Sequence, residues 1–446
     1  MASASDKARF YLEQSVPELQ DYERKGIFTR PEITAITTKR SDFEHILNAR
    51  GSKPGDYARY AEYEQNLDSL RRKRCKRLGI KGAKTYSGQR TVFFILDRGT
   101  KKFPGDSGLW MEYIRFCQRE KANKKLAKVL TSVLRLRPGE WGLWVVAAKW
   151  YAEEQGDMQT ARSYMQRGLR FCRDRRELWG EFVRLEMVFL AKVAARRRIL
   201  GMDDEVKESA VEVEQEDENM ISLPAVTAVD FEGEEGKGME VVDVAALQKL
   251  AKAPAFSGAI PIAIFDAATK EVKNDPEVAE MLFEIVSGFT EVPATKNVLR
   301  HILEHLQTTK PTSPEAVLCE ARLYTQGMDV TSVEFPAALG TTLKHITAGL
   351  TTLPAKQQPV LLEKAVSMLL PLLARSEGID EDVVTVIVAS LNRYLGALAK
   401  TDKSASIKSA TVRSLVAQTQ KSGRMNATEI RELVRQQQKK PTGLVD

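Results

Sequence analysis

The chain has 446 residues, 67 basic and 60 acidic, giving a formal charge of +7 and a mean hydropathy of −0.31. Its 43% hydrophobic content suffices for real cores and excludes a chain disordered throughout. At roughly 100–200 residues per domain, the length suggests two to four packing units or one extended repeat array.

The first residues, MASASDKARFYLEQ, carry Asp6, Lys7 and Arg9 where a secretory leader would be apolar. Cys75, Cys117, Cys172 and Cys319 lie far apart without a CxxC pair, which argues against a zinc ribbon or a disulfide framework. Both features predict an intracellular, reducing compartment. The longest nearly unbroken apolar runs, Val366–Ala374 and Val383–Leu391, are about nine residues, against about 18 needed for a membrane span. No membrane partner is expected.

Charge is unevenly spread. Residues 1–200 carry a net +18, 201–250 a net −12, 251–400 a net −4 and 401–446 a net +5. The organisation expected is therefore a basic half at 1–200, an acidic linker at 201–258 and a near-neutral half at 259–446. The linker contains MDDEVKESAVEVEQEDENM, whose like charges repel and which shows no lasting apolar period.

The basic half is periodic. Tyr57, Tyr60 and Tyr63 follow an i, i+3, i+6 spacing, Phe43 lies fourteen residues before Tyr57, and Glu64 follows the last tyrosine. Trp110, Trp144 and Trp179 are separated by 34 and 35 residues. Each opens a similar stripe: Tyr113 and Phe116, Ala147 and Trp150, Phe182 and Leu185. Glu186 follows Leu185 as Glu64 follows Tyr63. A second face lies upstream, at Val92, Leu126 and Ala161, then Leu96, Leu130 and Met165. Gly99, Val133 and Gly168 are compact enough for close helix crossings, and Pro104 and Pro138 end two helices. One shared period of about 34 residues predicts an α-solenoid of helical hairpins. Aromatic residues can stack on bases. The matched helical spacing assigns Tyr57, Tyr60, Tyr63, Trp110, Tyr113, Phe116, Trp144, Trp150, Trp179 and Phe182 to the packing between hairpins instead.

Between the first copy and Trp110, residues 67–90 read as a basic insertion. RRKRCKR at 71–77, extended by Lys81 and Lys84, contains no acid. With Leu67, Leu70 and Leu78 at helical spacing, its cations are expected on the outer faces of a prolonged helix. Arg71, Arg72, Lys73, Arg74, Lys76, Arg77, Lys81 and Lys84 are thus candidate contacts to RNA phosphates or acidic partners, or a nuclear import signal. Arg173, Arg175, Arg176 and Arg196–Arg198 add further charge.

The near-neutral half is more degenerate. Asp275-Pro276-Glu277 and Ser313-Pro314-Glu315 each read as an N-cap, a proline at the first helical position and a first-turn acid. Helices are also expected around 337–350, 356–374, 380–400, 405–420 and 427–439, and no alternating strand pattern competes. His301 and His305 form an HxxEH pattern. They flank the apolar stripe Val298, Ile302 and Leu306 and have no evident third ligand, so an ordinary helix rim is the better reading. No GxxxxGK[ST], GxGxxG or GxSxG segment occurs. Neither catalytic nor cofactor-binding residues are nominated, no metal or small-molecule substrate is expected, and the chain is not expected to be an enzyme.

The N-terminal stretch FYLEQSVPELQDYERKGIFTRPEITAITTKRSDFEHIL, followed by DYARYAEYEQNLDSLRRKRCKR, resembles the opening of the U-three small nucleolar RNA-associated protein 6 family. The helices at Trp110, Trp144 and Trp179 resemble HAT (half-a-TPR) repeats, from which Trp144-x-x-Ala147-x-x-Trp150 departs in aromatic placement. The resemblance covers about 1–200. It implies a nucleolar, non-catalytic subunit of the small-subunit processome, within the UtpB subcomplex of WD-repeat propeller proteins, serving maturation of pre-18S rRNA. The partners it implies are those propeller subunits, the U-three snoRNA and pre-rRNA. A HAT scaffold for mRNA 3′-end processing or splicing, and a direct RNA-binding module, remain the alternatives.

Overall fold

A computed structural model of the chain describes residues 4–80, 88–199, 258–374, 380–400 and 407–439. Every regular element among the described residues is an α-helix. The expected acidic linker at 201–258 lies outside them except for Gly258, and so do Lys81 and Lys84. The chain divides into two compact units, with the boundary between Ala147 and Ala148.

The first unit holds α1 (Ala4–Glu13), α2 (Val16–Arg24), α3 (Arg30–Asn48), α4 (Pro54–Arg77), α5 (Gly88–Lys102), α6 (Ser107–Arg119), α7 (Asn123–Leu136) and the first half of α8 (Trp141–Glu153). Helices one or two places apart in the chain pack together, notably α4 with α5 and α6 with α7. Thr29 opens α3: its backbone N–H donates to the Glu32 carboxylate at 2.8 Å, with Pro31 in the first turn. Val92, Leu96, Leu126, Leu130 and Val133, the upstream face of the repeat pattern, are all buried. Gly99 is buried too, and a Cβ there would sit 2.8 Å from Leu109 Cδ2 and 2.9 Å from Tyr57 Cδ1. The helices after Val92 and Leu126 end at Lys102 and Leu136, two residues before Pro104 and Pro138.

The tryptophans share one further feature. Trp110 donates its indole N–H to the Pro104 carbonyl at 3.0 Å and Trp144 to the Pro138 carbonyl at 2.8 Å. In the second unit Trp179 donates to the Arg173 carbonyl at 3.0 Å. In all three the acceptor lies six residues upstream, at the turn between two helices, where carbonyls are otherwise orphaned. The ring is buried while its polar edge closes the turn.

The second unit continues with α9 (Met158–Phe171) and α10 (Arg176–Ile199), then α11 (Ala259–Glu271), α12 (Pro276–Ser287), α13 (Thr295–Thr309) and α14 (Pro314–Thr325). Next come α15 (Phe335–Thr352), α16 (Gln358–Ala374), α17 (Glu381–Ala399), α18 (Ala410–Ser422) and α19 (Ala427–Lys439). The two proline caps form as expected. The Asp275 carboxylate accepts from Glu277 N at 3.1 Å, and Ser313 Oγ from Ala316 N at 3.2 Å. α15 to α19 share an apolar cluster that includes Ile346, Leu369, Ile387, Leu391, Leu415 and Ile430.

α17 corrects one sequence expectation. Its 19 residues are long and apolar enough to cross a membrane, with a windowed hydropathy of 1.3, although its unbroken apolar run is short. Runs miss it because isolated polar residues interrupt a high average. Val383, Ile387, Leu391, Tyr394, Leu395 and Leu398 nevertheless form a helical stripe buried in the cluster with α16 and α18.

Candidate nucleic-acid interface

α4 carries the basic run that the sequence singles out. Lys53 caps it, Pro54 occupies its first position, and Gly79, at φ +66°, ends it just beyond Leu78. The apparent insertion is therefore a helix of 24 residues followed by a connection to α5 at Gly88.

The inward stripe of α4 is Tyr57, Tyr60, Ala61, Glu64, Asp68, Arg71 and Cys75. It keeps helical periodicity but passes through three charged residues, and it leaves Leu70 and Leu78 exposed. The expectation that all the cations sit outside is thus corrected. Arg71 is buried and grips Asp68 Oδ1 through Nε at 2.9 Å and Nη2 at 2.7 Å. Arg72 reaches Asp68 at 2.7 Å and Glu120 at 3.1 Å. Arg74 forms two bonds to Glu32, of 2.7 and 2.8 Å, donates to the Ile27 carbonyl at 3.1 Å and lies 4.8 Å from the Phe28 ring centre. Arg72 and Arg74 tie α4 to its neighbours, while Arg71 holds Asp68 within the helix.

Lys73, Lys76 and Arg77 remain. All three are exposed, and none has a carboxylate within ion-pair distance among the described residues. Spaced i, i+3 and i+4, they share the side of α4 turned away from Asp68, Arg71 and Cys75. This triad is the part of the run that geometry leaves available to an anion. Cations in a last helical turn also complement the macrodipole, but Lys73 lies before that turn.

The arginines further along are mostly engaged. Arg176 meets Asp275 at 2.6 Å and Glu277 at 2.9 Å, Arg198 meets Glu291 at 3.1 Å, and Arg173 lies 3.9 Å from Glu271. A cleft of about 440 Å³ in the second unit has Leu185, Val188 and Phe189 as its floor and Lys149, Arg184 and Lys192 on its rim. Lys149 and Arg184 both pair with Glu181, at 2.7 and 2.9 Å. Sequence reading missed this cleft, because its walls come from three helices.

The aromatic positions assigned to packing are buried, with Tyr63 half-buried. Phe43 stacks on Tyr60 at 4.9 Å, and Phe93 meets Phe116 edge-on at 4.8 Å. His301 Nε2 lies 2.8 Å from Asp266 Oδ1, and both His301 and His305 present edge-to-face geometry to Phe265. Burial holds the His305 imidazole below its usual pKa. Among the described residues no group of three or more His, Cys, Asp or Glu could hold a metal ion.

The segment that carries α4 also resembles a known family. Residues 12–93 match the sequence profile of U3 small nucleolar RNA-associated protein 6. The chain is similar to that family over this segment. It is 38% identical over 239 residues to U3 small nucleolar RNA-associated protein 6 of Schizosaccharomyces pombe, covering 51% of this chain and 49% of that protein. It is 31% identical over 209 residues to the Homo sapiens homolog, covering 46% and 34%. The Dictyostelium discoideum homolog is 25% identical over 319 residues, covering 69% of this chain and 51% of that protein. The chain therefore matches about half or less of the length of these relatives. The exposed triad and Arg71, Arg72 and Arg74 all fall inside the matched segment 12–93.

Proposed function

We propose that the chain is a non-catalytic scaffold subunit of the U3 small nucleolar ribonucleoprotein, acting in the nucleolus on pre-18S rRNA within the small-subunit processome. The observation that carries this reading is the match over 12–93, which contains the exposed cations Lys73, Lys76 and Arg77. The helices would form an α-solenoid of HAT repeats. The common six-residue tryptophan bond and the dominance of contacts between helices one or two places apart support that arrangement. In this role geometry is the product: stacked hairpins offer extended surface to large partners, and no residue is required to do chemistry. The α4 triad would meet RNA phosphates, through backbone electrostatics with steep salt dependence and little sequence discrimination. The near-neutral half would dock protein subunits, the WD-repeat propellers of UtpB.

The test is affinity purification of the tagged full chain from nuclear extract, with probing for U3 RNA and pre-rRNA and mass spectrometry of the proteins. Recovery of U3 RNA and propeller subunits is expected, with less RNA for a K73Q/K76Q/R77Q variant. Recovery of neither, or of polyadenylation or splicing components instead, overturns the reading.

A further inference from the structure

Residues 121–139 hold six cations and no acid. Within them α7 buries Leu126, Val129, Leu130, Val133 and Leu134. At 3.6 residues per turn, Lys124, Lys128 and Arg135 fall within about 40° of one another on the opposite side, along roughly 16 Å of helix. All three are exposed, as is Lys121 just before the helix. None of the four has a carboxylate within ion-pair distance among the described residues. Thr131 and Ser132 border the stripe, but their hydroxyls donate to the Ala127 and Lys128 carbonyls at 2.8 Å each. The nearest carboxylate in sequence, Glu120, is held by Arg72 at 3.1 Å and by Gln89.

The stability of α7 does not account for this stripe. The negative end of the helix dipole favours Arg135 in the last turn, but Lys124 stands in the first turn, where the positive end repels a cation and no acid offsets it. Lys121 holds φ at +51°, a left-handed conformation in which glycine would cost less. We infer that the outer side of α7 binds double-stranded RNA, with Lys124, Lys128 and Arg135 on backbone phosphates. The stripe carries no ring on which a base could stack, and stacking is what single-strand sites add to charge. A duplex hides its bases, is recognised through phosphates and 2′-hydroxyls, and carries about twice the charge per unit length of one strand. An acidic protein segment is the weaker match. α7 has one exposed large apolar residue, Leu136, which lies about 100° round the helix from Arg135 and gives the stripe no anchor. The site is separate from the α4 triad and requires neither that triad nor the scaffold reading.

The experiment uses the full chain and a labelled RNA duplex of about 20 base pairs, with a uridine strand of equal length as control, followed by fluorescence anisotropy across a salt series. The K124Q/K128Q/R135Q variant should weaken duplex binding about tenfold at about 0.1 M salt. It should also flatten the slope of log affinity against log salt by about two to three, at about 0.9 per phosphate. Binding of the uridine strand should fall less. K124R/K128R keeps the charge and should bind like the parent. R9Q/R59Q/R115Q removes as many charges, from exposed arginines already paired with Glu13, Asp56 and Glu112, and should flatten the slope by less than about one. Equal losses on duplex and single strand, a K124Q/K128Q/R135Q loss no larger than that of R9Q/R59Q/R115Q, or tighter binding of polyglutamate than of the duplex would each overturn the proposal. None of these outcomes bears on recovery of U3 RNA from extract, so this site and the scaffold reading can fail separately.

Discussion

Arg162 closes on Glu186 through two parallel hydrogen bonds of 2.7 and 2.8 Å, both side chains buried and 24 residues apart. Arg40 holds Glu64 in the same way, at 2.8 and 2.8 Å and the same separation. In each case the arginine lies 17 residues before the repeat's leading aromatic, Trp179 or Tyr57, and the glutamate seven after it. The two intervening repeats fill the same slots with Phe93 and Cys117, and with Ala127 and Tyr151. One position in the hairpin thus accepts either a buried ion pair or uncharged packing. A buried pair gains little over well-packed apolar groups, while half of one is costly.

Single truncation should therefore be far worse than joint replacement. Arg162→Ala or Glu186→Ala alone should destabilise by about 3–5 kcal/mol, whereas Arg162→Met with Glu186→Leu should be roughly neutral. Urea unfolding followed by tryptophan fluorescence, arranged as a double-mutant cycle, checks this. Additive losses would show that the two side chains do not depend on each other.

Gly99 stands where α5 passes Tyr57 and Leu109 with no room for a methyl group. Gly99→Ala should lower stability by about 1–3 kcal/mol despite alanine's higher helix propensity. The same substitution at Gly396, where a Cβ would meet nothing within 4 Å, should not be destabilising. Thermal melts of the two variants distinguish a packing effect from a propensity effect.

Glu32 both caps α3 and pairs with Arg74. The Arg74 guanidinium, followed by the Thr29 backbone N–H, holds its carboxyl down to about 2. Its folded pKa lies below the unfolded value of about 4.3, so its contribution is complete above that pH and is lost as pH falls towards about 2. A carboxyl-resolved NMR titration should place Glu32 near about 2 in the parent, and Arg74→Gln should move it up. The stability difference between parent and Glu32→Gln should shrink on acidification through this window, and a gap constant with pH would exclude it. Its size should be small, because Glu32 is more than one-third exposed.

The cysteines should be quiet. Burial pushes the Cys117 thiol up to about 12 and raises Cys172 and Cys319 as well. Because the thiolate is the reactive form, a thiol reagent at about pH 8 should label Cys117 and Cys319 slowly in the folded chain and promptly after denaturation. Rapid labelling of Cys117 without denaturant would show that α6 opens readily.

Much of the local structure was legible from periodicity. The stripes at Trp110, Trp144 and Trp179, the compact residues at Gly99 and Val133, and the caps at Asp275 and Ser313 all rest on spacing within one or two helices. The glutamates of the buried pairs were visible as the residues following the aromatic stripes. Their arginines were not, since a charged residue on a buried face looks like an exposed one until its partner is known.

The sequence by itself determined that the described chain is helical, where its hairpin period falls and that its positive charge gathers before residue 200. Helical spacing and charge are local properties that survive without knowledge of neighbours. Only the tertiary structure decided which cations of the run 71–77 face outward. Arg72 and Arg74 meet Glu120 and Glu32, 48 and 42 residues away in sequence, while Arg71 turns inward onto Asp68. The same composition therefore yields three paired cations and three free ones, because a cation's availability depends on what the fold places beside it.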